Sequence, residues 1–211
     1  MDRASRYALA IVLATCASGV CAASSVNLSV RGTITPSACT PLLGQDGQID
    51  YGKIAARDLN PATFTRLPDT NLSVSVNCEA ATLFAVKLTD NRAGSSASAP
   101  LGFGLGLING NEKIGVFNVV LHTPLADNAP ITQLQSLNDG QSWMVVSDGV
   151  ALPALRLGAF GNASSGTWAP IPIQDLRVQM RVSTSIAPAQ GLTLDREVPL
   201  DGSATLDLIY L

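Results

Sequence analysis

Histidine occurs once in 211 residues, at His122, and that scarcity removes the commonest general base from most of the chain. Placed at the end of an apolar run, His122 reads as a partly buried structural residue. No G-x-S-x-G elbow exposes a nucleophilic serine. Asp46, Asp50, Asp90, Asp148 and Asp201 fall mostly at turn signals, where aspartate is expected to cap backbone N–H groups. These residues do not make a catalytic constellation, so the chain is expected to be no enzyme and to carry no cofactor. Charge is scarce too: Asp, Glu, Lys and Arg are 14% of the chain, with 13 basic against 16 acidic residues. A nucleic-acid surface needs a basic stripe to meet the phosphates, which excludes that class of partner. Beyond the N-terminus no stretch is long and apolar enough to span a bilayer, and nowhere does a convincing amphipathic helix occur.

What is there begins with residues 1–23, MDRASRYALAIVLATCASGVCAA. Arg3 and Arg6 precede an apolar run from Tyr7 to Leu13 and a tail of small residues, the layout of a secretory signal peptide. Cleavage is expected after Ala22, with Ala23 second. The apolar part is shorter than the roughly 20 residues of a membrane anchor, and Thr15 is a poor residue ahead of a lipidated Cys16. Removing the signal takes away Arg3, Arg6 and Asp2 and moves the net charge from −3 to −4. It also takes Cys16 and Cys21, leaving Cys39 and Cys78 in an exported chain that meets an oxidising compartment. Two isolated cysteines and one histidine cannot build a tetrahedral zinc site.

Both remaining cysteines stand in strand-like runs. From Ser24 to Cys39 (SSVNLSVRGTITPSAC), Val26, Leu28, Val30 and Ile34 share one parity, and Asn27, Ser29, Arg31 and Thr33 the other. Such alternation is a half-buried strand, with Gly32 on the apolar side, where a missing side chain lets a neighbour come close. In Asn71–Cys78 (NLSVSVNC), Leu72, Val74, Val76 and Cys78 share a face. Both cysteines therefore point toward one core, and a Cys39–Cys78 disulfide is expected.

Further strands are expected at Gln48–Ile54, Thr82–Asp90, Lys113–Thr123, Trp143–Ser147, Ile173–Ile186, Leu192–Val198 and Ser203–Leu211. Thr82–Asp90 is expected to form a hairpin with Asn71–Cys78 around Glu79–Ala81. Asn91–Pro100 (NRAGSSASAP) reads as an exposed, mobile loop. LGFGLGLI, with Gly102, Gly104 and Gly106 on one face, reads as a weak strand near a sheet edge; its spacing is not a dinucleotide fingerprint. In the last strand Ala204, Leu206, Leu208 and Tyr210 form one face. The fold class is all-β, and turn signals every ten or so residues favour an antiparallel sandwich.

Four features in order resemble the pilin subunits of chaperone–usher fimbriae, and more closely a proteobacterial family of pilin-related exported proteins of unknown function. They are the signal peptide and alternating strand, Gly32 seven residues before Cys39, the second cysteine at Cys78, and a final strand with Tyr210 next to last. The match covers Val26 to about Leu88 and Ser203–Leu211; the middle is longer than in a typical pilin and reads as insertions within a single domain, residues 24–211. The resemblance implies an immunoglobulin-like sandwich lacking its last strand. The gap is filled first by a periplasmic chaperone, delivered to an outer-membrane usher, and then by a neighbouring fimbrial subunit. Leu206, Leu208 and Tyr210 then border the groove, and Val26, Leu28, Val30 and Gly32 are either a short donor strand or the first strand of a self-contained domain. The location implied is periplasm, fimbrium or cell surface. The competing function is a self-contained periplasmic or secreted carbohydrate-binding sandwich, with Trp143 and Trp168 as the residues that would meet glycans.

Overall fold

The computed structural model describes residues 28–30 and 38–211. The chain divides into an N-terminal unit, Met1–Ile34, and a larger unit, Thr35–Leu211. In the first, the described residues Leu28, Ser29 and Val30 have no regular structure, and Leu28 and Val30 are exposed. Val26 and Gly32, the other donor-strand candidates, lie outside the described residues.

The second unit is all-β, with no α-helix among its described residues. Its strands are β1 (Cys39–Leu43), β2 (Thr65–Arg66), β3 (Thr70–Thr82), β4 (Phe84–Asp90), β5 (Phe103–Gly104), β6 (Leu107–Ile108), β7 (Glu112–Lys113) and β8 (Gly115–Ala126). They continue with β9 (Ala129–Pro130), β10 (Thr132–Ser136), β11 (Met144–Val145), β12 (Leu157–Asn162), β13 (Ala169–Pro170), β14 (Ile173–Ile186) and β15 (Ala204–Tyr210). One sheet has the order β1-β3-β14-β8-β5, with β2 on β14 and β9 on β8; the other runs β11-β10-β12-β4-β15, with β13 on β12. The strand pairings are antiparallel, and β6 and β7 form a separate small hairpin.

The sheets face each other across an apolar core, and strand periodicity shows why. In β3 Leu72, Val74, Val76 and Cys78 are buried while Asn71, Ser73 and Asn77 are not. In β14 Leu176, Val178, Met180 and Val182 are buried between β3 and β8. The second sheet answers with Phe84, Val86, Leu88 and Phe160. The result is an open immunoglobulin-like sandwich.

Three expectations change. β3 and β4 are not a hairpin: they lie in different sheets, and the chain crosses between them at Leu83. Thr82 and Phe84 are both buried on either side of the crossing, so the alternation that marked both strands could not say that they had parted. Gln48–Ile54 and Leu192–Val198 are not strands, since neither finds a strand partner among the described residues. Asn91–Pro100 is tied down at its centre: Ser95 and Ser96 are buried, Ser95 Oγ accepts from Gly106 N–H at 3.1 Å, and Ala97 N–H donates to Gly115 O at 3.0 Å. Gly104 makes this possible, because a Cβ there would meet Arg92 O at 2.7 Å.

Candidate functional site: a cleft between two open edges

β1 is the last strand of its sheet and β15 the last of the other. Among the described residues β1 pairs on one side only, with β3, in the register Cys39↔Cys78 to Leu43↔Val74. That register puts the cysteines opposite each other, and they form a disulfide with Cα atoms 4.0 Å apart. β15 likewise pairs on one side among the described residues, from Ala204↔Asp90 to Tyr210↔Phe84 along β4. Their free edges meet at one end, where Cys39 N–H donates to the Tyr210 hydroxyl at 3.1 Å. From there β1 leads toward Leu43 and Gly47, which share a cavity with Ala204 and Leu206, so the two edges run antiparallel.

Between them a cavity reaches the core. The cavity there is about 240 Å³, and its floor includes Leu72, Leu88, Phe117, Val119, Met180 and Val182, side chains from both sheets. On β15 Leu206 and Leu208 turn toward this core yet are only half-buried, and Tyr210 is exposed apart from its bond to Cys39. Asp207 has the opposite parity and accepts a 3.3 Å hydrogen bond from Thr89 Oγ1. A strand edge with free N–H and C=O groups beside a cavity lined by apolar core residues offers both elements of strand addition: backbone pairing and side-chain pockets.

The cleft continues past β15. A second cavity of about 930 Å³ shares Ile49, Tyr51 and Leu200 with the first. Its walls are residues 49–56 and 192–200, and Ile108, Ile114 and Ile186 lie between them. Tyr51 holds one wall by donating to Thr184 Oγ1 at 3.0 Å. The other wall is held at Thr193, whose N–H donates to Glu112 Oε2 at 2.6 Å. Bonds from Asn109 first, and then Thr193, keep the Glu112 carboxyl below the usual range. Past that wall, Asp201 takes both Arg92 Nε at 2.8 Å and Arg92 Nη2 at 2.7 Å. This arginine bond lowers the Asp201 carboxyl in the same way. Across the mouth, Lys53 Nζ reaches Glu197 Oε1 at 2.6 Å, with both side chains exposed.

The remaining candidates do not join this cleft. His122 packs on β8 with its Nδ1 2.7 Å from Asp148 Oδ1. Trp143 lies over a small cluster of Ala85, Leu134, Leu157 and Ala159 outside the main core. Trp168 stands apart beside β13, partly exposed. Among the described residues no cluster of His, Cys, Asp or Glu is arranged to hold a metal ion. The second cavity was not found from the sequence; its signal was the alternation in Gln48–Ile54 and Leu192–Val198, which resembled ordinary strands.

Fold and cleft together define an immunoglobulin-like β-sandwich with an open edge. Residues 28–100 match the model of a family described as protein of unknown function (DUF1120). The chain is also similar to two proteins of Escherichia coli (strain K12). Uncharacterized protein YhcF is 24% identical over 222 residues, covering 90% of this chain and 92% of that protein. Protein GltF is 24% identical over 227 residues, covering 89% of each.

Proposed function

We propose that this chain is a non-catalytic exported subunit of fimbrial type, structural or adhesive, whose sandwich is completed by a β-strand from a partner. One observation carries the reading: the outer edges of β1 and β15, the end strands of the two sheets, find no further strand among the described residues, and a cavity lined by core side chains lies between them. A periplasmic chaperone is the natural first occupant, with an outer-membrane usher and neighbouring subunits following, and the location is then periplasm, fimbrium or cell surface. The disulfide supports passage through an oxidising compartment.

The test is to express the mature domain in the periplasm without a chaperone. It is expected to be poorly folded or to aggregate, and to be rescued by a synthetic peptide that forms a strand against β15. Protection of the Leu206–Tyr210 amides from hydrogen exchange on adding the peptide would place it on that edge. A monomer that unfolds cooperatively, binds no strand peptide and shows no such protection would overturn the proposal and favour the self-contained sandwich.

A further inference from the structure

Residues 193–200 lie between two backbone anchors: Leu192 N–H donates to Ala189 O at 3.1 Å, and Asp201 N–H to Leu105 O at 3.0 Å. Among the described residues, nothing between those anchors belongs to a strand or makes a backbone–backbone hydrogen bond. The polar ties of this wall run through carboxylates instead, at residues 193, 197 and 201. Thr193 donates twice to Glu112, from N–H to Oε2 at 2.6 Å and from Oγ1 to Oε1 at 3.0 Å. Glu197 takes Lys53 Nζ, and Asp201 takes Arg92 Nε and Nη2. Leu192, Leu194, Val198 and Leu200 are partly buried against the core. They line the same cavity as Ile108, Ile114 and Ile186, which are buried.

A carboxylate only accepts hydrogen bonds, whereas a protonated carboxyl carries a donor of its own. Glu112 has three donors aimed at its two oxygens: Thr193 N–H, Thr193 Oγ1 and Asn109 Nδ2, the last at 2.9 Å. A proton there sets a fourth hydrogen among them and removes the charge that strengthens each bond. Protonating Glu197 or Asp201 removes the attraction for Lys53 or Arg92. The other charged groups around the wall are Lys113 beside Glu112 on β7, Asp90 beside Arg92, Asp50 on the facing wall, and Asp195 and Arg196 on the wall itself. In acid Lys53, Arg92, Lys113 and Arg196 keep their charge, and the carboxylates that balance them do not. Bonds from Asn109 and Thr193 hold Glu112 below the ordinary carboxylate range, and the bond from Arg92 does the same for Asp201. The ties are therefore intact above that range and lost as pH falls through the lower folded values.

We propose that residues 193–200 are an acid-released strap: ionised carboxylates hold it over Ile108, Ile114 and Ile186, and protonation lets it lift while both sheets stay folded. The sheets keep their structure because β3–β14 and β4–β15 are held by backbone pairing and apolar contacts, which do not titrate. The strap lies off the β15 edge, so its release stands with or without an added strand.

Arg196, exposed in the middle of the strap, is a built-in trypsin site that reports its opening. Glu112→Gln puts an amide donor where the protonated acid would have one, so at neutral pH the mature chain carrying it should be cut after Arg196 roughly tenfold faster than the parent. Should that variant fold poorly, Asp201→Asn carries the same test from the other end of the strap. In the parent, hydrogen exchange corrected for its intrinsic pH dependence should show residues 193–200 losing protection below about pH 4 while the β14 amides keep theirs. A Glu112→Gln chain that folds and is cut no faster than the parent overturns the proposal. So does a strap as protected at pH 3 as at pH 7, or one that loses protection only together with β14, since acid would then unfold the whole domain and release no strap.

Discussion

Leu208→Asp probes the open edge most directly. Leu208 sits opposite Val86 in the β15–β4 register and turns toward the core, but it is only partly buried. Complete burial of a leucine side chain is worth about 1.5–3 kcal/mol, so a half-buried one gives up roughly 1–1.5 when truncated. A carboxylate against Val86, itself 2% exposed, adds a desolvation cost of about 1–2 kcal/mol. The sum, about 2–3.5 kcal/mol, is a large part of an ordinary domain's stability. Asp207→Ser, one residue away on the opposite face, gives up only the 3.3 Å bond from Thr89 and should stay within about 0.5 kcal/mol. Urea unfolding of both variants, with the strand peptide present to hold the domain together, measures the contrast as a shift in midpoint at constant slope. With the peptide bound, Leu208 becomes fully covered, so the cost to the complex exceeds the cost to the free chain and shows as peptide affinity lost by about tenfold for each 1.4 kcal/mol. Equal costs for the two variants, or a Leu208→Asp chain that binds peptide as the parent does, would refute the placement of Leu208 over the cleft.

Replacing both Cys39 and Cys78 by alanine opens a 39-residue separation, which on the chain-entropy model should cost about 4 kcal/mol in the same urea assay. Gly104→Ala should destabilise by about 1–3 kcal/mol, since its Cβ would press on Ser95 and Arg92 O, and limited proteolysis should then cut at Asn91–Pro100 earlier than in the parent. The bond from His122 holds the Asp148 carboxyl below its ordinary value, so it contributes stability that is present above that ordinary value and lost as pH falls toward the folded one. Melting temperatures of parent and Asp148→Asn should accordingly differ at neutral pH and converge below about pH 4; a gap that stays constant into acid would refute the assignment.

How far the sequence could be read depended on whether a strand's partner mattered to its signal. β14 came out with the expected bounds, Ile173–Ile186, because a central strand with arginine, glutamine and serine on one face alternates visibly along its whole length. The cysteine pairing was legible for the same reason, since parity alone put Cys78 on the buried face of β3. Parity says which side of a strand is apolar, and nothing about which sheet holds it. The β3–β4 crossing at Leu83 was therefore invisible, and residues 48–54 and 192–198 carried the period of strands without the partners that would make them so. Ser95 and Ser96 were misread for another reason. Small polar residues usually mark solvent, but here backbone groups around Gly104 and Gly115 satisfy them at the surface of the core.

The disulfide has a mechanical meaning. A pull on the chain ahead of Cys39 passes through the sulfur bridge to Cys78 and into β3, so β1 and the whole stretch up to Cys78 are spared the load. From β3 the force crosses at Leu83 directly into β4, the strand that holds β15 along seven consecutive pairs. Tension between the N-terminus and a strand seated on β15 is thus carried by a short covalent path and one long sheet register. The walls at residues 49–56 and 192–200 lie off that path.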